Sequence, residues 1–184
     1  MTAAWELPTS ASINGTEYAI RSDFRAVLDL MTVLEDPALS DGERGLLAMQ
    51  IFYPEFEEMP RGDYRDAAEF LKYFVAGGEM RAHPPSQKLA DWKQDFPIII
   101  SPVNRVLGFE ARAAEHVHWW TFLAAYAEIG DCFFAQVVAI RKKLREGKRL
   151  EKWEREFYKR NREQIDLGPK VTDADIEFLK QLES

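Results

Sequence analysis

Residues 115–129, EHVHWWTFLAAYAEI, constrain this chain more than any other stretch. Val117, Trp119, Trp120, Phe122, Leu123, Ala124, Ala125, Tyr126 and Ala127 leave a helix almost no polar face. A surface helix shows an apolar stripe at a 3.6-residue period with charges opposite, and this segment does not. It is also shorter than the about 20 apolar residues needed to cross a bilayer. The segment therefore predicts a central helix, covered on most sides by other elements. Trp120 is its expected keystone, and truncation to Ala should cost about 3–5 kcal/mol.

The rest of the chain can supply that cover. Hydrophobic residues make up 46% of the 184 and charged residues 30%, which favours a packed core over disorder. The length points to one domain, with room for an appendage. Cys132 is the single cysteine, so no intramolecular disulfide can form and a reducing compartment is expected. The opening MTAAWELPTS lacks the basic and apolar regions of a signal peptide, which adds to a cytoplasmic expectation. A net charge of −7 argues against simple electrostatic binding of nucleic acid by the whole molecule. The charge is uneven, however. Residues 141–163 hold eleven Lys/Arg against five Asp/Glu, a local +6 that leaves −13 for the remainder. A basic arm on an acidic body can pair with a second copy or with a partner; the alternative is a solvated helix face.

Short elements precede the central segment. Asn14-Gly15 between 11–13 and 18–20 predicts a two-stranded hairpin with a tight turn. A first helix over 23–36 would bury Phe24, Val27, Leu28, Met31 and Leu34 before Asp36-Pro37 stops it. Ser40 and Glu43 have capping-box spacing and open a second helix to Phe52, with Leu46, Leu47, Met49 and Ile51 or Phe52 inward. Asp63 can cap a third, with Ala67, Phe70, Leu71 and Phe74 inward and Gly77-Gly78 as its stop. Residues 77–90 read as a surface loop. Residues 91–108 are ambiguous: Ile98–Ile100 suits a buried strand, whereas Pro97 at a first turn and the spacing of Ile99, Val103, Val106 and Leu107 suit a helix, which is preferred. After the central helix, Phe133, Val137, Ile140 and Leu144 define another amphipathic helix. The register restarts beyond Gly147, so two helices or a bend are expected. A short final helix capped by Thr172 would bury Ile176, Leu179 and Leu182.

Candidate chemistry is sparse. His116 and His118 would point about 160° apart on a regular helix, so they cannot share a metal ion from one. They read as core or interface histidines, and no metal or cofactor is expected. The acidic groups Glu55, Glu57, Glu58 and Asp173, Asp175 fall in polar segments, with no sign of the burial that raises a carboxyl pKa. Cys132 has neither a flanking cysteine nor an obvious base, and phosphate-binding or nucleophile-elbow glycine motifs are missing. The sequence thus reads as a non-enzyme without a small-molecule substrate or a membrane span. Leu150, Trp153 and Phe157 form a narrow apolar line suited to a partner groove or helix, and they are the candidate partner-binding residues. The basic run 141–162 with its aromatics leaves nucleic-acid binding as a weaker alternative, because its four interspersed glutamates favour pairing within the helix.

A set order of short motifs carries a family resemblance. Leu7-Pro8, the ING.EY.I ribbon of 13–20, Asp23-Phe24-Arg25, the LED of 34–36, Phe52-Tyr53-Pro54, DWKQD at 91–95 and the HWW.F of 118–122 together resemble the "gene product fifteen" family of tailed phages and prophages. This resemblance spans about residues 7–143. It implies a small helical protein encoded among tail genes near the tape-measure gene. The implied role is tail assembly, as a chaperone for the tape-measure protein in the bacterial host cytoplasm. A structural tail component retained in the virion is the alternative, and a homo-oligomer is compatible with either. No catalytic residues come with the family. The expected architecture is all-α with a small N-terminal β-hairpin, arranged as a helical domain over 1–145 and a basic helical arm over 146–184.

Overall fold

The turn at Asn14-Gly15 opens the fold as the sequence predicts. In the computed structural model, which describes residues 5–79 and 89–168, Asn14 and Gly15 take φ values of 50° and 86°. They close an antiparallel hairpin of β1 (Ser10–Ile13) and β2 (Thr16–Ala19). Both angles lie in the left-handed region that a two-residue hairpin turn requires. The hairpin does not stand alone. Asn14 Nδ2 donates to Asp63 Oδ1 at 2.9 Å, and the Tyr18 hydroxyl donates to Asp63 Oδ2 at 2.6 Å. Eight α-helices follow among the described residues, so the protein is mainly α.

The chain divides into two compact units. Among the described residues, the first comprises 5–79 and 99–130, and the second comprises 89–98 and 131–168. Residues 146–168 therefore share the second unit with 131–145 and with the start of the helix that begins at Trp92.

In the first unit, α1 (Phe24–Leu34) packs against both α2 (Asp41–Phe52) and α5 (Trp119–Ala127), and α2 packs against α3 (Tyr64–Val75), whose end α5 reaches. The predicted capping box of α2 forms: Ser40 N–H donates to Glu43 Oε2 at 2.8 Å, and Ser40 Oγ accepts from Glu43 N–H. The inward face of α2 differs from the expected one. Ala48, Met49 and Phe52 are buried, whereas Leu46 and Leu47 are exposed. Residues 46–49 are all apolar and cannot all point inward. The aromatic cluster of Phe52 with Tyr53 and Phe74, at centroid distances of 4.8 and 5.1 Å, fixes the helix rotation instead. The same correction applies to α1, which buries Phe24, Val27 and Leu30 and leaves Leu34 exposed. Phe24 stacks on Phe122 at 4.6 Å, and this contact sets its phase.

α3 ends as expected at Gly77-Gly78, with φ of 74° and 86°. Gly78 N–H reaches Tyr73 O and Gly77 N–H reaches Phe74 O, the paired bonds of a Schellman stop. Two indoles complete that helix end: Trp119 Nε1 donates to Val75 O at 2.9 Å and Trp120 Nε1 to Phe74 O at 2.8 Å.

The central helix is shorter than 115–129. Residues 116–118 are extended, because Phe24 N–H bonds Val117 O, Trp119 N–H bonds Ser22 O, and Val117 N–H bonds the Asp23 carboxylate. Trp119, Phe122 and Ala125 form the fully buried face, Trp120 is half-buried, and Ala124 and Ala127 lie open. Trp119, not Trp120, is the keystone.

α4 (Trp92–Leu107) resolves the ambiguous segment as a helix, but it begins before Pro97 rather than at it. Asp91 caps it by accepting Gln94 N–H at 2.8 Å, while Asp91 N–H donates to Asp95 Oδ2 at 2.8 Å. This reciprocal cap outweighs the first-turn preference of proline. Its later residues Ile99, Ile100 and Val103 join the first unit's core, and Val106 stays exposed. The expected helix capped by Thr172, with Asp173 and Asp175, and most of the 77–90 loop lie outside the described residues.

Candidate partner-binding groove

The second unit is built on α6 (Phe133–Arg145), α7 (Lys152–Arg160), α8 (Arg162–Ile165) and the first turns of α4. Gly147 at φ 65° ends α6, with Lys148 N–H on Lys143 O and Gly147 N–H on Leu144 O, so the predicted break is real. Val137, Ile140, Leu150 and Ile165 form the core, with Ile98, Phe157 and Tyr158 packed against it.

A buried ion pair fixes the rotation of α6. Arg141 meets Asp95 through two parallel bonds, Nη1 to Oδ2 at 2.6 Å and Nη2 to Oδ1 at 2.8 Å. Its remaining donors go to backbone carbonyls: Nε to Ile165 O at 2.8 Å, Nη1 to Leu89 O at 3.0 Å, and Nη2 to Gln164 O. With Arg141 inward, Phe134, Val137 and Ile140 follow, and Phe133 and Leu144 turn out to solvent. The expected inward set of Phe133, Val137, Ile140 and Leu144 is thus half right.

This rotation creates a groove. Phe133 reaches across to Phe157, ring centroids 5.5 Å apart. Beside them a solvent-open depression of about 900 Å³ runs between α6 and α7, lined by Gln136, Lys152, Trp153, Glu156, Phe157 and Arg160 among others. The three candidate residues separate here. Leu150 precedes α7 and is buried in the unit's core. Phe157 is half-buried, with its ring shared between core and groove. Trp153 is 56% exposed, and its indole N–H is tied to Glu151 Oε2 at 3.0 Å. A held, solvent-facing indole is a typical anchor for a partner, because burying it on binding costs little conformational entropy. Phe133 is the exposed ring beside the groove that the sequence pattern places inward. The adjacent Phe133 and Phe134 fit either face, and only the tertiary pair Arg141–Asp95 chooses between them.

Charge around the groove is more balanced than the sequence count suggests. Arg141 is spent on Asp95, and Lys143 Nζ pairs at 2.6 Å with the buried Glu154. The Lys143 ammonium and the Glu151 N–H hold the Glu154 carboxyl below its ordinary range. At the rim, Lys152 and Arg160 are exposed beside Glu151 and Glu156.

His116 and His118 sit in the first unit on extended backbone, not on the helix expected from the sequence, with their ring centroids 6.4 Å apart. His118 is buried, its Nδ1 accepting Trp120 N–H at 3.1 Å and its Nε2 donating to Pro8 O at 3.0 Å. Burial lowers its pKa, the Pro8 carbonyl opposes that shift, and His116 adds to it. His116 faces the Ser22 hydroxyl at 3.1 Å. Cys132 caps α6 by accepting Ala135 N–H. Among the described residues, no three His, Cys, Asp or Glu side chains converge as metal ligands. Likewise among them, no helix is long and apolar enough to cross a membrane.

The family model described as "Bacteriophage Gp15 protein" matches residues 5–167. The chain belongs to the bacteriophage Gp15 family. The match extends past residue 143, where the motif resemblance ends, so α6, α7 and the groove lie inside the Gp15 region. No curated protein and no solved structure gives a significant match to this Gp15 chain.

Proposed function

We propose that this Gp15 protein is a non-catalytic tail-assembly chaperone that binds the tape-measure protein in the host cytoplasm, with the α6–α7 groove receiving a helical segment of that partner. The observation that carries this reading is the solvent-exposed Trp153 beside the Phe133–Phe157 pair, inside the family-matched region. An amphipathic helix docks by laying its apolar face into such a groove, and aromatic anchors dominate the binding energy. A chaperone of this kind works by mass action. It covers apolar stripes that would otherwise self-associate, and releases them when a better-packed assembly competes. The mixed-sign rim would set orientation and encounter rate more than affinity. Arg141 and Lys143 are paired with acids and so do not count toward a phosphate-binding surface.

Co-expression with the long helical tape-measure reading frame of the same phage tests this. The expected result is co-purification and a soluble partner. Phe133→Ala with Trp153→Ala should abolish capture while far-UV circular dichroism and melting stay near wild type. Capture that survives the double substitution rejects the groove, and failure to capture the tape-measure protein rejects the chaperone role. Detection of the chain in purified virions would favour the structural tail component instead.

A further inference from the structure

Two surfaces outside the groove each expose leucines amid opposite charge. The first is the α1–α2 hairpin. Leu34, Leu46 and Leu47 are exposed there, Leu46 by 46%. Leu34 and Leu46 stand equally far along the chain from Ser40, so in a helix pair joined by a short turn they lie at one level. Residues 29–44 around them carry five acids and one base. Asp36 and Glu43 accept backbone N–H groups at 2.8 Å from Ala38 and Ser40, which orients their charges without cancelling them. The second surface is the turn that closes α6. Leu144 is 40% exposed there, within residues 142–149, which carry five bases and one acid. Lys142, Arg145 and Arg149 are exposed and form no ion pair among the described residues, although Lys142 lies close enough to Glu146 to help lower its pKa.

We propose that these two surfaces bind each other between copies, the acidic leucine patch of one chain receiving the basic Leu144 turn of the next. Each patch alone would be an unexplained exposure of apolar side chains on a charged surface. Together they supply an apolar centre with a complementary charged rim, as protein interfaces do. The contact is heterologous: a chain using its hairpin still presents its turn, so association continues from copy to copy rather than stopping at a symmetric dimer. Few apolar side chains are involved, so the contact is weak and transient. Opposite charges near the surface make it strongest at low ionic strength. Screening tightens from about 10 Å at 0.1 M salt to about 3 Å at 1 M and should dissolve it. The groove stays outside the contact, so self-association and partner capture are separate readouts.

Sedimentation velocity on the full chain over a concentration series tests the inference. Wild type should grow with concentration at low salt and revert to monomer at about 1 M salt. Leu46→Lys with Leu47→Lys spoils the hairpin face, and Leu144→Glu with Arg145→Glu spoils the turn. Each variant alone should be monomeric at low salt with an unchanged melting curve. Mixed in equal amounts, they should form a dimer that grows no further, because one intact face of each kind remains. The milder Leu46→Ser and Leu144→Ser should each weaken association without adding charge. Wild type that stays monomeric at low salt overturns the inference. So does a serine variant that associates like wild type, or a mixture of the charged variants that stays monomeric.

Discussion

Removing Arg141 is the most informative single perturbation. The Asp95 side chain is 1% exposed, and Arg141 supplies both of the charged donors that it receives. Arg141→Met keeps the apolar stem and deletes the guanidinium. It strands a buried carboxylate and also takes donors from the carbonyls of Leu89, Gln164 and Ile165. Breaking a buried pair from one side costs about 3–5 kcal/mol. That is a large share of the about 5–15 kcal/mol by which a domain is stable. Asp95→Asn retains an acceptor for Asp91 N–H and leaves Arg141 its three carbonyls, so it should cost less. Because the two side chains share one network, their effects should not add; a coupling of about 1–3 kcal/mol is expected in the double mutant. Urea unfolding of the four proteins measures this, with hydrogen exchange reporting whether protection falls across α6–α8 and the start of α4. An Arg141→Met cost below about 1 kcal/mol, or additive single effects, would refute the view that this pair fixes the rotation of α6.

Further outcomes follow from the first unit. Trp119→Ala should cost about 3–5 kcal/mol and Trp120→Ala clearly less, by chemical denaturation, since only the former is fully buried. Gly78→Ala combines a φ of 86° with a Cβ placed 2.9 Å from the Trp120 ring, so a loss of about 1–3 kcal/mol in the same assay is expected. His118 is held neutral by burial, with a pKa below its ordinary value. The unfolded chain then binds more protons than the folded one just below about pH 6.5, so stability is full above that pH and declines as pH falls through the depressed folded value. Melting temperatures between pH 7 and 5 should show this slope in wild type and lose most of it in His118→Asn, which still caps α5.

Local signals in the sequence determined much of this protein. Asn14-Gly15 fixes the hairpin, Ser40 with Glu43 fixes the start of α2, and Gly77-Gly78 and Gly147 fix two helix ends, because each acts through bonds among residues close in the chain. The order of motifs from Leu7 to Phe122 was enough to point to the family. Tertiary structure decided the rotation of each helix about its own axis. Contiguous apolar residues such as Leu46–Met49 or Phe133-Phe134 satisfy several rotations equally, and a distant contact selects one: Phe52 on Phe74 for α2, Arg141 on Asp95 for α6. The candidate surfaces depend on that selection. Leu150 is buried and Phe133 turned outward not by their own chemistry but by the burial of one charge pair, whose partners are 46 positions apart in sequence.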